Sequence, residues 1–239
     1  LLDHDGKIAE LVATIKNNLS DTVRNMLVNM EDSGELETLI RETLLKIAPL
    51  TVKDFGAIGD GVTDDTPAFQ QAIDYALENN IGRLIVPDGN YLIRRTIEIT
   101  EQERLLNLEI KGYGAPHILP HLTDFRGEYL FKVTANAKNM NEFKRYLTIR
   151  DIVLGHPGDN ECADITGMYI EQLQFLNLDN VMIRGFKRSG LILRDVFDSM
   201  AHNVRLINIG DIKGERPNNQ DYALILQGEI DNVNATHFY

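Results

Sequence analysis

The sequence predicts a mainly β solenoid preceded by a helical segment, and three observations lead there. The first 48 positions carry apolar residues at coiled-coil spacing. From residue 115 onward no amphipathic helical pattern recurs. In that second half a short fragment returns instead, headed by Asp or Asn and followed by a hydrophobic, a variable and another hydrophobic residue. It reads DIVL at 151, NVMI at 180, NVRL at 203 and NVNA at 232, at intervals of 29, 23 and 29 residues. An irregular period of that size in strand-rich sequence suggests one solenoid coil per repeat.

Residues 1–48 read as helical. Ile8, Val12, Ile15, Leu19, Thr22 and Met26 follow 4-3-4-3-4 spacing, with Thr22 as the interruption, and Val23 and Leu27 suggest that the stripe then drifts. Asp32-Ser33-Gly34 breaks the helix. Leu36, Ile40, Thr43 and Ile47 then share a face flanked by Leu39 and Leu44, and Ala48-Pro49 closes the stretch. Such a stripe must be buried either against the following domain or against copies of the same chain. Mixed Val, Leu and Ile at the seam positions is compatible with a trimeric stalk.

Residues 49–114 open with VKDFGAIGDGVTDDTPAFQQAID. Thr66-Pro67 reads as an N-cap followed by proline at the first helical position. Phe69, Ala72, Ile73, Ala76 and Leu77 then form one apolar face, and Asp64 and Asp65 sit where a helix start favours negative charge. RLIVP at 83–87 predicts a short buried strand, PDGN at 87–90 a turn, and Ile97, Ile99, Leu106, Leu108 and Ile110 alternate as strand residues do. The glycine-rich loop does not fit a phosphate or calcium role. Gly56, Gly59 and Gly61 run opposite to G-x-G-x-x-G, and a calcium loop begun at Asp60 would have Gln71 where its final Glu belongs.

Residues 115–239 carry short apolar runs, LQFLNL (173–178), GLIL (190–193) and ALIL (223–226), each the length of one side of a coil. Asn and Asp tolerate left-handed backbone, so one at each corner has a physical reason. LQFLNLDN superficially matches a leucine-rich repeat, but its Asn is one place early and no second copy follows. An antiparallel sandwich is the other alternative, and tight hairpin signals for it are few.

Composition narrows the function classes. The chain has 239 residues, 43% hydrophobic and 25% charged, with a net charge of −12. That charge argues against a nucleic-acid partner and against anionic lipid, because binding phosphates needs a basic surface. No run approaches the roughly 18–20 apolar residues of a membrane span, so no membrane insertion is expected. No basic-then-apolar leader begins the sequence. One cysteine, Cys162, excludes an intrachain disulfide framework. The start at Leu1 and the end inside an apparent coil suggest the front part of a longer protein.

The succession of the 49–114 loop and helix, RLIVPDGNYLI and IKGYG (110–114) resembles the entry module of the pectate-lyase-like right-handed parallel β-helix superfamily. That group includes polygalacturonase-type glycosidases and many bacteriophage tailspike and appendage proteins. The resemblance implies a right-handed, single-stranded parallel β-helix with an N-terminal capping helix, behind a coiled-coil-like stalk. Three segments follow: residues 1–48 as an oligomerisation or attachment stalk, 49–114 as the entry and capping module, and 115–239 as coils. It also implies that the glycine- and aspartate-rich loop caps the solenoid. With the stalk, it points to a phage tailspike or appendage protein on the virion. Its expected partners are copies of itself as a homotrimer, other tail proteins through the N-terminal helices, and host surface glycan, which it binds and could depolymerise. The alternatives are a secreted polysaccharide lyase or glycoside hydrolase, and a non-catalytic structural tail protein.

No catalytic residue can be assigned from the sequence, and no cofactor or metal is expected. Glycoside hydrolysis needs two flanking carboxylates, but the N-T-D, D-D, G-H-G and R-I-K motifs of the glycosidase branch are missing, and the only DD pair, Asp64-Asp65, belongs to the cap. Asp195, Asp198, Asp151 and Glu171 could border a groove, though each reads more simply as a solvated turn residue. His117 and His121 have i, i+4 spacing, but Pro116 and Pro120 rule out a regular helix and hence a zinc pair. His156, His202 and His237 have no evident partners in sequence.

Overall fold

The computed structural model describes residues 4–17, 21–36, 38–39, 43, 49–100, 106–135, 146–158, 161–210, 222–228 and 236–238. The chain divides into two compact units, Leu1–Pro49 and Leu50–Tyr239.

In the first unit the stripe runs along α1 (His4–Asn17) and α2 (Asp21–Asp32), and residues 18–20 lie outside the described residues. The break at 32–34 is as expected: α2 ends at Asp32, Gly34 turns at φ +76°, and Ser33 Oγ donates to the Met30 carbonyl. Ile8 and Leu36 are buried together, with Val12 and Met30 packed against them. The N-terminal part of the stripe therefore closes on the stretch after the break, within one chain. Met26, at the far end of the expected seam, stays 62% exposed, and Leu39 53%. Leu19, Ile40 and Ile47 lie outside the described residues.

The second unit is a stack of parallel coils. The first holds β1 (Leu50–Thr51) and β2 (Asp60–Asp64), and leads into the helix α3 (Thr66–Glu78). The next holds β3 (Arg83–Val86), β4 (Asn90–Ile93) and β5 (Arg95–Thr100). β6 (Asn107–Gly112), β7 (His117–Pro120) and β8 (Arg126–Thr134) follow. β9 (Tyr146–Leu154) and β10 (Thr166–Glu171) make the fourth coil, β11 (Leu176–Phe186) and β12 (Leu191–Arg194) the fifth. β13 (Ser199–His202), β14 (Arg205–Ile209) and β15 (Leu224–Gln227) make the sixth, and β16 (Thr236–Phe238) stacks on β13.

Among the described residues every strand pair is parallel, which disposes of the antiparallel sandwich. The strands build three walls. Wall A runs β1-β3-β6-β9-β11-β13-β16 and wall C runs β5-β8-β10-β12-β15. Wall B comprises β2, β4, β7, the second halves of β9 and β11, and β14. The core is made of register-aligned rungs: Leu84, Ile110, Ile149, Leu178 and Ala201 in wall A, and Ile99, Val133, Ile170 and Leu193 in wall C, all buried. A coil takes from 23 residues (Leu178 to Ala201) to 39 (Ile110 to Ile149).

The recurring fragment marks the corner between walls A and B. Asp151, Asn180 and Asn203 have φ of +58°, +54° and +51°, the left-handed backbone their residue types allow. Asn232 of the fourth fragment lies outside the described residues. LQFLNLDN is the run into such a corner and no leucine-rich repeat.

Helix α3 covers the first coil with Phe69, Ala72, Ile73 and Ala76 buried. Its N-cap is Asp65 and not Thr66. Thr66 Oγ1 serves the sheet instead, accepting from the Arg94 N–H at 2.8 Å while donating to Asp64. Gly59 (φ +74°) lies against Tyr91, whose ring would be 2.9 Å from an added Cβ, so a side chain there would displace a fully buried tyrosine.

Candidate functional site

The three aspartates of the capping loop are all used by the loop itself. Asp60 Oδ1 accepts from the Val62 and Thr63 N–H groups, and Asp64 accepts from Thr66. Asp65 is 1% exposed and accepts from the N–H groups of Ile58 (2.7 Å) and Gly59 (3.1 Å). Burial nevertheless pushes its carboxyl above the usual range, against the pull of those two bonds. Among the described residues no group of three or more His, Cys, Asp or Glu side chains is arranged to hold a metal ion.

The carboxylates singled out from sequence are not brought together. Asp195 and Asp198 (φ +50° and +46°) form the corner that precedes wall A strand β13, whereas Asp151 lies on the corner that follows wall A. Four strand residues at about 3.3 Å each place those corners roughly 13 Å apart. Asp195 is 3% exposed, so it is a buried turn residue and not a solvated one. Asp198 accepts from Gln174 Nε2 at 3.2 Å. Glu171 is in a strand of wall C, 3.5 Å from Arg194, and is not a turn residue. His117 begins strand β7 and is not helical, as its flanking prolines predict, and His121 Nδ1 accepts from the Asp124 N–H. The side chain of His237 is outside the described set.

Two histidines without partners in sequence gain them in the fold. His156 Nε2 lies 2.7 Å from the Pro120 carbonyl, so it carries the hydrogen and donates. His202 Nδ1 lies 2.9 Å from Asp179 Oδ1, with the ring 64% exposed. Because a carboxylate oxygen accepts, Nδ1 is the nitrogen that carries the hydrogen in this contact.

His202 immediately precedes Asn203, one of the corner residues that line a polar groove. Lys111, Arg150, Asp179 and His202 occupy one register row across four successive coils of wall A. The next residue in three of those coils is the corner residue, and the corner side chains form a ladder. Asn203 Nδ2 donates to Asn180 Oδ1 at 2.9 Å, and Asn180 Nδ2 donates to Asp151 Oδ1 at 3.0 Å. Arg150 Nε donates to the other Asp151 oxygen at 3.1 Å. The Asn180 amide, followed by Arg150, holds the Asp151 carboxyl below the usual range, so it is ionised and a poor proton donor. The ladder, residues 111–115, Ile152, Val153, Val181, Met182 and Arg205 line a groove of about 450 Å³. Lys111 Nζ sits 5.4 Å from the centroid of the Tyr113 ring, which is 65% exposed. Each ladder amide uses one N–H and keeps a second. The groove thus offers cations, amide donors and an aromatic face, in an arrangement suited to hydroxyl-rich, partly anionic ligands.

Sequence reasoning found the corners but not the groove. A signal was there: Arg150, Asp179 and His202 each immediately precede a corner residue, so they had to stack in the same row as the corners did.

Comparison with known proteins places this geometry. The family model described as rhamnogalacturonase A/epimerase, pectate lyase-like matches residues 50–212. A capsule KN3-specific depolymerase of Klebsiella phage KN3-1 is 25% identical over 198 residues, 79% of this chain and 24% of the depolymerase. Alginate lyase 7 of Azotobacter vinelandii is 33% identical over 122 residues, 49% of this chain and 14% of the lyase. Among solved structures, ORF18 of Geobacillus virus E2 superposes with a TM-score of 0.55 at 22% identity, covering 78% of this chain and 33% of the viral protein. The chain spans about a quarter or less of the length of these two curated relatives.

Proposed function

Since the chain belongs to the rhamnogalacturonase A/epimerase, pectate lyase-like family, we propose that it forms part of a bacteriophage tailspike or tail appendage that binds host surface polysaccharide through the groove along the wall A to wall B corner. The observation that carries this reading is the ladder Asp151–Asn180–Asn203, flanked by Lys111 and Arg205, repeating polar groups at the pitch of the coils. Adjacent strands lie about 4.8 Å apart, so the groove repeats its polar groups at a short, even spacing suited to a polymer of repeating units. The likeness to a phage capsule depolymerase supports the setting. The helices of residues 1–48 then join copies of the chain, as a homotrimer, and anchor them to other tail proteins. Their exposed Leu11, Val23, Met26 and Leu39 are the surface such contacts would use.

The test is binding of the 239-residue chain to a panel of bacterial capsular and surface polysaccharides, with Lys111→Ala/Arg205→Ala as the control. Saturable binding to one polysaccharide, weakened at least tenfold in the double variant with unchanged melting temperature, is expected. Binding that ignores both substitutions overturns the placement of the site.

A second reading, glycan cleavage, is favoured by one observation, the exposed His202–Asp179 pair in the same register row as Arg150 and Lys111. His202 would act as the base. Release of reducing or unsaturated ends from the bound polysaccharide, abolished by His202→Gln with binding retained, is the outcome that reading requires.

A further inference from the structure

Wall C begins with an arrangement that the corner groove does not use. Arg95 on β5 and Arg126 on β8 are direct register partners on neighbouring parallel strands, and both are exposed. Like charges opposite each other across a strand pair are destabilising. The neighbouring cation Arg94 is paired with Asp124 at 2.9 Å, but among the described residues neither Arg95 nor Arg126 meets a carboxylate or a hydrogen-bond acceptor.

The backbone around the pair is shaped to leave room. The register slips between Arg95 and Ile97, whose partners are Arg126 and Phe131, so residues 127–130 of β8 stand opposite Thr96 alone and form a bulge. Thr96 Oγ1 donates to the Tyr129 carbonyl at 2.7 Å and holds the bulge. Gly127 (φ +132°) lies over the same hydroxyl, and a Cβ added there would be 2.1 Å from it. The result is a cavity of about 590 Å³ lined by Gln70, Arg95, Thr96, Glu98, Arg126 and Gly127. Gln70 is already committed to the Glu98 backbone and to Asp74. Glu98, the one acidic lining residue, is the register partner of Lys132. Two guanidiniums are left facing the space in a chain of net charge −12.

We infer that this cavity is an oxyanion-binding site, distinct from the corner groove, in which Arg95 and Arg126 together take a carboxylate, sulfate or phosphate group. A planar guanidinium offers a fork of donors matched to such groups. A shared anion also turns the opposed pair from a repulsive contact into a bridge. The anion is a substituent of a glycan lying along wall C, or a free oxyanion. The two are chemically alike at the site.

The experiment uses the intact chain at low ionic strength, where surface charge is least screened. Melting temperature is measured with sodium sulfate against sodium chloride at matched ionic strength, and binding of a tetraglucuronate by calorimetry. Both are repeated in Arg95→Gln, Arg126→Gln and the double variant. Without added anion, either single variant should melt at or above the native temperature, since one opposed charge is gone. Sulfate should raise the native melting temperature and leave the double variant unmoved. A tetraglucuronate affinity at least tenfold weaker in the double variant assigns the site to a polymer-borne anion. A sulfate effect without tetraglucuronate binding assigns it to a free oxyanion. The inference is overturned if neither probe acts on the native chain, or if both act equally on the double variant. Lys111→Ala/Arg205→Ala leaves this site intact, so the corner groove and the arginine pair fail or succeed separately.

Discussion

The side-chain amide of Gln70 completes the hydrogen bonding of a single backbone residue, Glu98. Its Nε2 donates to the Glu98 carbonyl at 2.8 Å and its Oε1 accepts from the Glu98 N–H at 2.9 Å. β5 is the edge strand of wall C, and exposed edges invite pairing with other chains. A residue of the capping helix thus imitates the next strand at the point where the stack begins.

Gln70→Ala is expected to destabilise the unit by about 0.5–1.5 kcal/mol, the net worth of a typical hydrogen bond, and to increase self-association. Urea unfolding with light scattering checks both. A variant as stable and as monodisperse as the native chain would show that the edge is protected by other means.

The corner ladder predicts a pH response of definite sign. The Asp151 carboxyl is held below its ordinary value of 3.8, chiefly by the Asn180 amide. Its contribution to stability is therefore present above about pH 3.8, the unfolded value, and is lost as pH falls through the lower folded value. Asn180→Ala should flatten that acid loss. It should also cost about 1–2 kcal/mol at neutral pH, because alanine tolerates φ +54° poorly. Asn180→Gly separates the terms, removing the amide without the backbone strain.

Asp65 predicts the opposite slope. Its folded carboxyl is raised by burial above 3.8, so its contribution is complete below the unfolded value and is lost as pH rises through the folded one. Asp65→Asn imitates the protonated form, and its stability relative to the native chain should improve from pH 4 to pH 7. A deficit that grows with pH would mean that the bonds from Ile58 and Gly59 outweigh burial.

Ile149 sits between Ile110 and Leu178 in the rung series and is 2% exposed. Ile149→Ala should cost about 2–5 kcal/mol, read by denaturant unfolding. A loss below about 1 kcal/mol would indicate that the coils on either side can close over the gap.

Removal of residues 1–48 should convert a trimer into a monomer, measured as solution mass by light scattering. Equal monomeric mass with and without them would leave the closure of Ile8 on Leu36 as the whole purpose of the stripe.

The coils were legible in the sequence because their signals are local. An Asn or Asp that can turn left-handed, followed by alternating apolar residues, needs no partner to be recognised, and Asp151, Asn180 and Asn203 all stand where that pattern put them. The N-cap of α3 was misplaced by one residue because Thr66 is drawn to the Arg94 backbone, a contact 28 residues away. The His202–Asp179 pair spans 23 residues and exists only once the coil length is fixed. The arginine pair of wall C depends on a register slip that no periodicity announces. Asp195 read as solvated because its type suggested it, and the neighbouring coil covers it.

The spread of coil lengths, from 23 to 39 residues over identical rungs, separates two kinds of heritable change. Residues facing inward answer to the cross-section, which every coil must share with its neighbours. Extra residues emerge at corners and between walls, where nothing above or below has to match them. A lineage can therefore rewrite what the surface recognises by lengthening one coil at a time, while the shaft that carries it stays the same.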